Sequence, residues 1–301
     1  MSSSCALQSR ASAEAIAGTA PFARGWMLVE QPGSWGPQAL RDSELDDGLA
    51  AGLERRGEDA GVRVQLVRRP GRRGHQARPS VRTVVLAHTG DDPWAEILEL
   101  TDDTALDRID PAVTLDARPP GIGLSVRLPL LLVCTHGRRD RCCATYGRPI
   151  VDALAALHQD LVWEVSHVGG HRFAGNLVVL PDGLVYGGLD VPRALRTVDL
   201  HLAGRLELSH ARGRSGWDRP VQAAELGLRR ELGEDHLGVL TPVEHTPDGD
   251  GGAEVVLGHV DGRRWRVEVA FEPTHEPRLL SCDADEATDP GRYRVGGFTP
   301  L

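Results

Sequence analysis

An α/β fold is the class this sequence predicts, on three observations. Aliphatic runs of strand length, Leu130–Val133 and Val162–Val165 among them, recur along the chain. Between them stand stretches with apolar residues at helical spacing, such as Ile150, Val151, Leu154 and Leu157. In the middle of the chain the elements follow the order strand, helix, strand, hairpin, helix, which is the order of a thioredoxin-like α/β domain.

Residues 1–19 are rich in Ser and Ala and are expected to form a mobile lead-in. Trp26–Glu30 reads as the first strand, followed by the turn-forming Gln31-Pro32-Gly33-Ser34-Trp35-Gly36. A helix is expected over Ser43–Arg56, with Ser43 as N-cap and Leu45, Leu49 and Leu53 on one face. Strands Val62–Arg68 and Thr83–His88 follow, separated by an Arg- and Gly-rich loop over 69–80, and the Pro-rich stretch Asp116–Gly121 marks the end of an N-terminal α/β domain, residues 20–118.

The second domain, residues 119–205, repeats that order. It holds strand Leu130–Val133, a helix over Arg148–His158 with Pro149 in its first turn, and strands Val162–Val165, Asn176–Leu180 and Leu184–Tyr186. Pro181-Asp182-Gly183 joins the last two as a hairpin, and Pro192–Leu202 closes the domain as a helix. The shared order suggests a diverged internal duplication in which only the second copy kept the ligands. Residues 206–301 read as a small α+β region: a helix through Val221, Ala224, Leu228 and Leu232, a hairpin of Glu254–Val260 with Trp265–Phe271, and a last thirty residues draped over the surface.

A chain of 301 residues can bury a sizeable core, and with 4% aromatic residues that core is aliphatic. The net charge of −9 argues against nucleic acid as a partner, because neutralising phosphates needs concentrated Lys and Arg. No apolar run approaches the roughly 20 residues that a spanning helix needs, so no membrane partner is expected. The N-terminus lacks a basic start and an apolar core, which places the protein in the cytoplasm as an expectation. Five cysteines, two of them adjacent, do not make a disulfide framework and point instead to metal or redox chemistry.

Those ligands fall into two groups, Cys134 with Cys142 and Cys143, then His167 with His171. Each group lies where a loop leaves a predicted strand, a rigid place from which to hold a metal. Val168-Gly169-Gly170 between the histidines disfavours a helix there, and the paired glycines suggest close approach of backbone to a bulky inorganic centre. Spacing alone leaves an iron–sulfur site, a zinc site and thiol chemistry open; the chain has no CxxC knuckle of the kind structural zinc sites use. His136 is read either as a donor behind the ligands or as a solvated loop histidine, and Arg138, Arg139, Arg141 and Arg172 as a local basic patch.

Cys134-Thr-His-Gly-Arg-Arg-Asp-Arg-Cys-Cys143 followed by His167-Val-Gly-Gly-His-Arg-Phe-Ala-Gly-Asn176 resembles the signature of the sucrase/ferredoxin-like family. Trp26-Met-Leu-Val-Glu-Gln-Pro-Gly-Ser-Trp35, Arg212-Gly-Arg-Ser and Gln222-Ala-Ala-Glu225 resemble its bacterial members. The resemblance implies a thioredoxin-like ferredoxin domain holding a [2Fe–2S] cluster through Cys134, Cys143, His167 and His171, with Cys142 as the alternative to Cys143. It also implies an electron-transfer protein, not a self-contained enzyme, passing electrons between a reductase and an unknown acceptor. The alternatives are a thiol-disulfide enzyme on the same scaffold and a structural zinc protein. Two imidazoles in place of two thiolates remove negative charge from such a centre, which makes it easier to reduce and its potential pH-dependent.

Overall fold

The computed structural model describes residues 4–71 and 81–301, so most of the Arg- and Gly-rich loop expected over 69–80 lies outside the described residues. Helix α1 (Cys5–Ala11) opens the chain, followed by β1 (Gly25–Glu30), α2 (Asp47–Ala60), β2 (Arg63–Arg68), β3 (Arg82–His88) and β4 (Trp94–Leu100). Next come β5 (Leu124–Ser125), β6 (Leu130–Cys134), α3 (Arg141–His158), β7 (Val162–Val165), β8 (Leu177–Leu180), β9 (Leu184–Tyr186) and α4 (Val191–Leu202). Strand β10 (Ala211–Arg214), α5 (Arg219–Leu232), β11 (Leu240–Pro247), β12 (Ala253–His259), β13 (Arg264–Glu272) and β14 (Arg292–Pro300) complete it.

Ten strands form one continuous sheet in the order β10-β9-β8-β6-β7-β2-β1-β3-β4-β5. The order β7-β6-β8-β9 in the second half matches β2-β1-β3-β4 in the first, and the senses match too. β6 runs parallel to β7 and antiparallel to β8, as β1 does to β2 and β3. The halves meet where β2 and β7 pair antiparallel through Val67↔Val165 and Arg68↔Glu164. This is the α/β architecture expected, thioredoxin-like in each half.

Alternation along the strands sorts the core. Leu131, Val133, Leu177 and Val179 face Ile150, Val151 and Leu154 of α3 and Ala194 and Val198 of α4. Trp26, Leu28, Leu132, Trp163, Val165 and Val178 gather on the other face with Ala20, Ala23 and Val168. A separate four-stranded sheet, β11-β12-β13-β14, packs against α5.

Several elements differ from the sequence reading. Residues 1–19, expected to be mobile, contain α1, in which Cys5 and Ala6 are fully buried. Helix α2 starts at Asp47 because Asp46 accepts the Leu49 N–H at 3.1 Å, whereas Ser43 belongs to the preceding turn and donates to the Leu40 carbonyl. Helix α3 starts seven residues before the expected Arg148, because Asp140 caps it through the Cys142 N–H at 2.8 Å; Pro149 therefore lies inside the helix. Residues 292–300 do not drape over the surface but pair with β13 as β14. β4 and β10 add two strands that periodicity did not single out, and β5, beyond the Pro-rich stretch at 116–121, still pairs with β4.

Candidate metal centre

Cys134 is the last residue of β6, and Cys143 stands in the first turn of α3. The helix reaches the strand end only because Gly147 has no side chain: a Cβ there would lie 2.2 Å from the Cys134 carbonyl oxygen. β7 runs parallel to β6 with Cys134 opposite Val165, so His167 emerges beside Cys134 two residues later. His171 begins a single 3-10 turn, His171–Phe173, set by Gly170 in the left-handed region (φ 72°).

One donor atom each from Cys134, Cys143 and His167 lie within 4.8 Å of one another, and Cys143 Sγ is 4.0 Å from His167 Nδ1. His171 stands outside that group but stacks on His167, ring centroids 4.8 Å apart at 25°. Its side chain is 14% exposed, and its buried Nδ1 has no hydrogen-bond partner, the nearest acid being Asp140 Oδ2 at 3.8 Å. Cys142 points elsewhere, with its sulfur 3.2 Å from Cys282 and 3.7 Å from Cys5.

The donors are chemically matched to a soft or borderline metal. Hydrogen bonding from the Cys143 thiol, with His167 beside it, holds Cys134 well below the ordinary thiol range, and the same bond together with burial pushes Cys143 up. Burial lowers His171, keeping it neutral and able to ligate. Three donors within 4.8 Å can enclose one metal ion. A two-iron core needs a wider span, and the orphaned nitrogen of His171 supplies a donor beyond the tight trio.

Side chains outside the expected set brace this arrangement. His136 is buried and accepts the His167 N–H at its Nδ1 (3.3 Å), while its Nε2 meets the Gly36 carbonyl at 2.7 Å. Arg63 donates to the His167 carbonyl at 3.2 Å. Arg212, fully buried, donates to the carbonyls of Gly169 (3.0 Å) and Thr19 (2.5 Å) and to Asn176 Oδ1 (2.9 Å). Burial pulls the Arg212 guanidinium down to about 9 and that of Arg63 to about 10, against the field of Cys134, so both remain cationic and face a thiolate. The paired glycines serve this packing: a Cβ at Gly170 would meet Arg212 Nη2 at 2.4 Å.

Arg138, Arg139 and Arg141 are exposed beside the centre, but Arg172 is committed to Glu14 at 2.7 Å and leaves the expected basic patch. A cleft of about 660 Å³ lined by Arg63, His136, Arg139, Ser166 and His167 opens the histidine side to solvent. In the sequence Arg212 and Asp140 stand only as parts of longer motifs, and Arg63 stands in none. No local signal marks Arg63 and Arg212, whose partners lie about 40 to 190 residues away, whereas Asp140 carries the local one of a helix N-cap.

A family model described as sucrase/ferredoxin-like matches residues 16–212. Two relatives carry the name Altered inheritance of mitochondria protein 32. The one from Eremothecium gossypii is 46% identical over 52 residues, 16% of this chain and 17% of the relative. The one from Debaryomyces hansenii is 39% identical over 57 residues, 17% of this chain and 21% of the relative. The chain thus spans about a fifth of the length of these relatives. No solved structure matches. No helix among the described residues is long and apolar enough to cross a membrane.

Proposed function

Because the chain belongs to the sucrase/ferredoxin-like family, we propose that it is an electron carrier whose Cys134, Cys143, His167 and His171 hold a [2Fe–2S] cluster. The observation that supports this reading is the meeting of the buried thiols of Cys134 and Cys143 with His167 within 4.8 Å, and the stacking of His171 on His167. When bound, such a cluster accepts and releases single electrons.

The chain's own residues set the terms of that exchange. Cys134 and Cys143 enter as thiolates on the inner side, among Leu132, Trp163 and Val165, where water is excluded. His167 lines the cleft on the outer side, and His171 stacks on it. The cations Arg63 and Arg212 favour added negative charge at the centre and so raise its affinity for an electron. Arg138, Arg139 and Arg141 offer an acidic reductase or acceptor a docking face within reach of the histidines. The cytoplasm, a reducing compartment, keeps the thiols available as ligands.

The span of 4.8 Å favours one second reading, a single zinc ion on the same residues. Anaerobic purification separates the two. Equal amounts of iron and acid-labile sulfide, and an EPR signal after dithionite reduction that Cys134→Ser, Cys143→Ser and replacement of either histidine abolish or alter while Cys142→Ser leaves it intact, are expected. A colourless, zinc-bearing protein would refute the cluster, and a signal lost in Cys142→Ser but kept in Cys143→Ser would refute the ligand set.

A further inference from the structure

Cys5, Cys142 and Cys282 are separated by up to 277 residues, yet their sulfurs converge. Cys5 lies 3.7 Å from Cys142 and 3.6 Å from Cys282, and Cys142 lies 3.2 Å from Cys282. Three thiolates 2.3 Å from one tetrahedral ion stand about 3.8 Å apart. Two of the sulfur pairs, at 3.7 and 3.6 Å, match that distance and the third, at 3.2 Å, is shorter, a spacing too close for ligands spread over a cluster of several metals and suited to one ion once Cys142 and Cys282 part slightly. Asp140 completes the set, with its carboxylate oxygens 3.8 and 4.0 Å from Cys5 Sγ.

We propose that Cys5, Cys142, Cys282 and Asp140 form a second metal site, taking a single zinc ion. The residues around it are built for the purpose. Asp140 Oδ1 accepts the Cys142 N–H at 2.8 Å, and Oδ2 accepts the Cys282 N–H at 2.8 Å and the Ser281 hydroxyl at 3.3 Å. Each oxygen keeps lone-pair capacity for a metal while the backbone bonds fix its aim. Ala6, Ala174, Tyr146 and Leu279 close an apolar shell around the sulfurs. The field of Cys282 raises the Arg141 guanidinium, a nearby positive charge that offsets the negative charge of the ligand set.

Each thiol that ligates gives up its proton, so binding releases protons and couples to folding of the segments that supply the ligands. Those segments are helix α1, the first turn of α3 and the long connection between β13 and β14, which has little regular pairing of its own. The connection is otherwise moored to α1 by Leu279 N–H on Gln8 Oε1 (3.1 Å) and by Arg278 on the Ser12 hydroxyl and Glu14. Zinc therefore clasps both ends of the chain to the helix that carries Cys143. Cys5 and Cys282 both lie outside the residues that match the family model.

The test is metal content of the full chain purified under reducing conditions without chelator. One zinc per chain is expected, lost in Cys282→Ser and retained in Cys282→His, while whatever fills the Cys134 centre is unchanged. Cys134→Ser should do the reverse, so failure of one site is distinguishable from failure of the other. Cobalt added to metal-free protein should give a thiolate-to-cobalt charge-transfer band that Cys282→Ser lacks. Zinc content unaffected by Cys282→Ser would overturn the proposal. So would a reduced parent protein that binds no zinc or cobalt, its sulfurs then being packed as small hydrophobes.

Discussion

Replacing Gly170 with Ala tests how the histidine loop is held. Gly170 has φ 72°, and a Cβ there would sit 2.4 Å from Nη2, 2.8 Å from Cζ and 3.0 Å from Nη1 of Arg212. The backbone conformation alone costs a non-glycine residue about 1–2 kcal/mol. The guanidinium cannot swing aside freely, since it is fully buried and bonded to Gly169, Thr19 and Asn176. Losing two of those charge-assisted bonds adds about 3 kcal/mol or more, for a total of about 4 kcal/mol. At about 2–4 °C per kcal/mol for large domains, the melting temperature should fall by roughly 10 °C. Gly204 supplies the control, with the same backbone conformation (φ 75°) and nothing within 4 Å of its would-be Cβ. Gly204→Ala should show only the backbone part, about 1–2 kcal/mol. Differential scanning calorimetry of both variants, with metal content of each, measures the difference. Equal losses in the two would refute the claim that the loop glycine exists to make room for Arg212.

Glu164→Gln should cost about 3–5 kcal/mol by denaturant titration, because it leaves Arg68, 6% exposed and 2.8 Å away, as a buried cation without its counter-charge. The Thr135 hydroxyl also donates to Glu164 at 2.6 Å, so the change should loosen the turn after Cys134 and lower metal retention. Asp182 accepts from buried His201 at 3.1 Å, and although burial would raise its carboxyl, the His201 hydrogen bond and the fields of His201 and Arg214 hold it below the ordinary range. A carboxyl depressed on folding stabilises fully above its unfolded value near 4 and loses that contribution as pH falls through the folded value. The stability difference between parent and Asp182→Asn should therefore be flat above about pH 4 and shrink below it, and a gap that widens with acid would contradict the assignment. Replacing Arg138 and Arg139 with Glu should slow reduction by an acidic partner about tenfold or more at low salt and leave the rate alike at high salt, read by stopped-flow absorbance.

The sequence carried strands β6 to β9, the closing helix and the nearness of Cys134 to His167, because each follows from a local run of residues. Aliphatic runs of four or five residues end at Cys134 and just before His167, and parallel pairing of two such strands places their exits side by side. The start of α3 was hidden because residues 141–147 carry no apolar period and Pro149 imitates a first-turn proline; the true start depends on the Asp140 side chain. With the helix begun early, Cys142 and Cys143 face different ways, and only their direction separates the two clusters. The convergence of Cys5 with Cys282 was not legible, since it joins two segments through contacts with a third.

The first half of the sheet lacks the ligands, and the reason to keep it lies in the short seam where β2 meets β7. Only two residue pairs are in register there, and beyond them the Ser166 N–H on the Leu66 carbonyl (2.8 Å) and several side chains do the joining. The Ser166 hydroxyl accepts the Leu66 N–H and donates to Gln65, the Gly36 carbonyl holds His136, and Arg63 reaches across to the His167 carbonyl. The ligand-free half is thus the wall against which the histidine loop is set, and Arg63 is its charged contact. Arg63→Met should preserve the fold, as a flexible apolar chain can cover the Trp26 ring that Arg63 now overlies at 5.5 Å. It should lower the potential of the centre, because a cation near Cys134 is removed, and loosen the loop, because the His167 carbonyl loses its donor. Arg63→Lys should restore most of the potential, since the charge returns. Surface arginines act through solvent and lose their effect in salt, whereas a partly buried one does so far less. Voltammetry of the parent and the two variants at low and high salt separates these cases, and a potential unmoved by Arg63→Met would remove Arg63 from the electrostatics of the site.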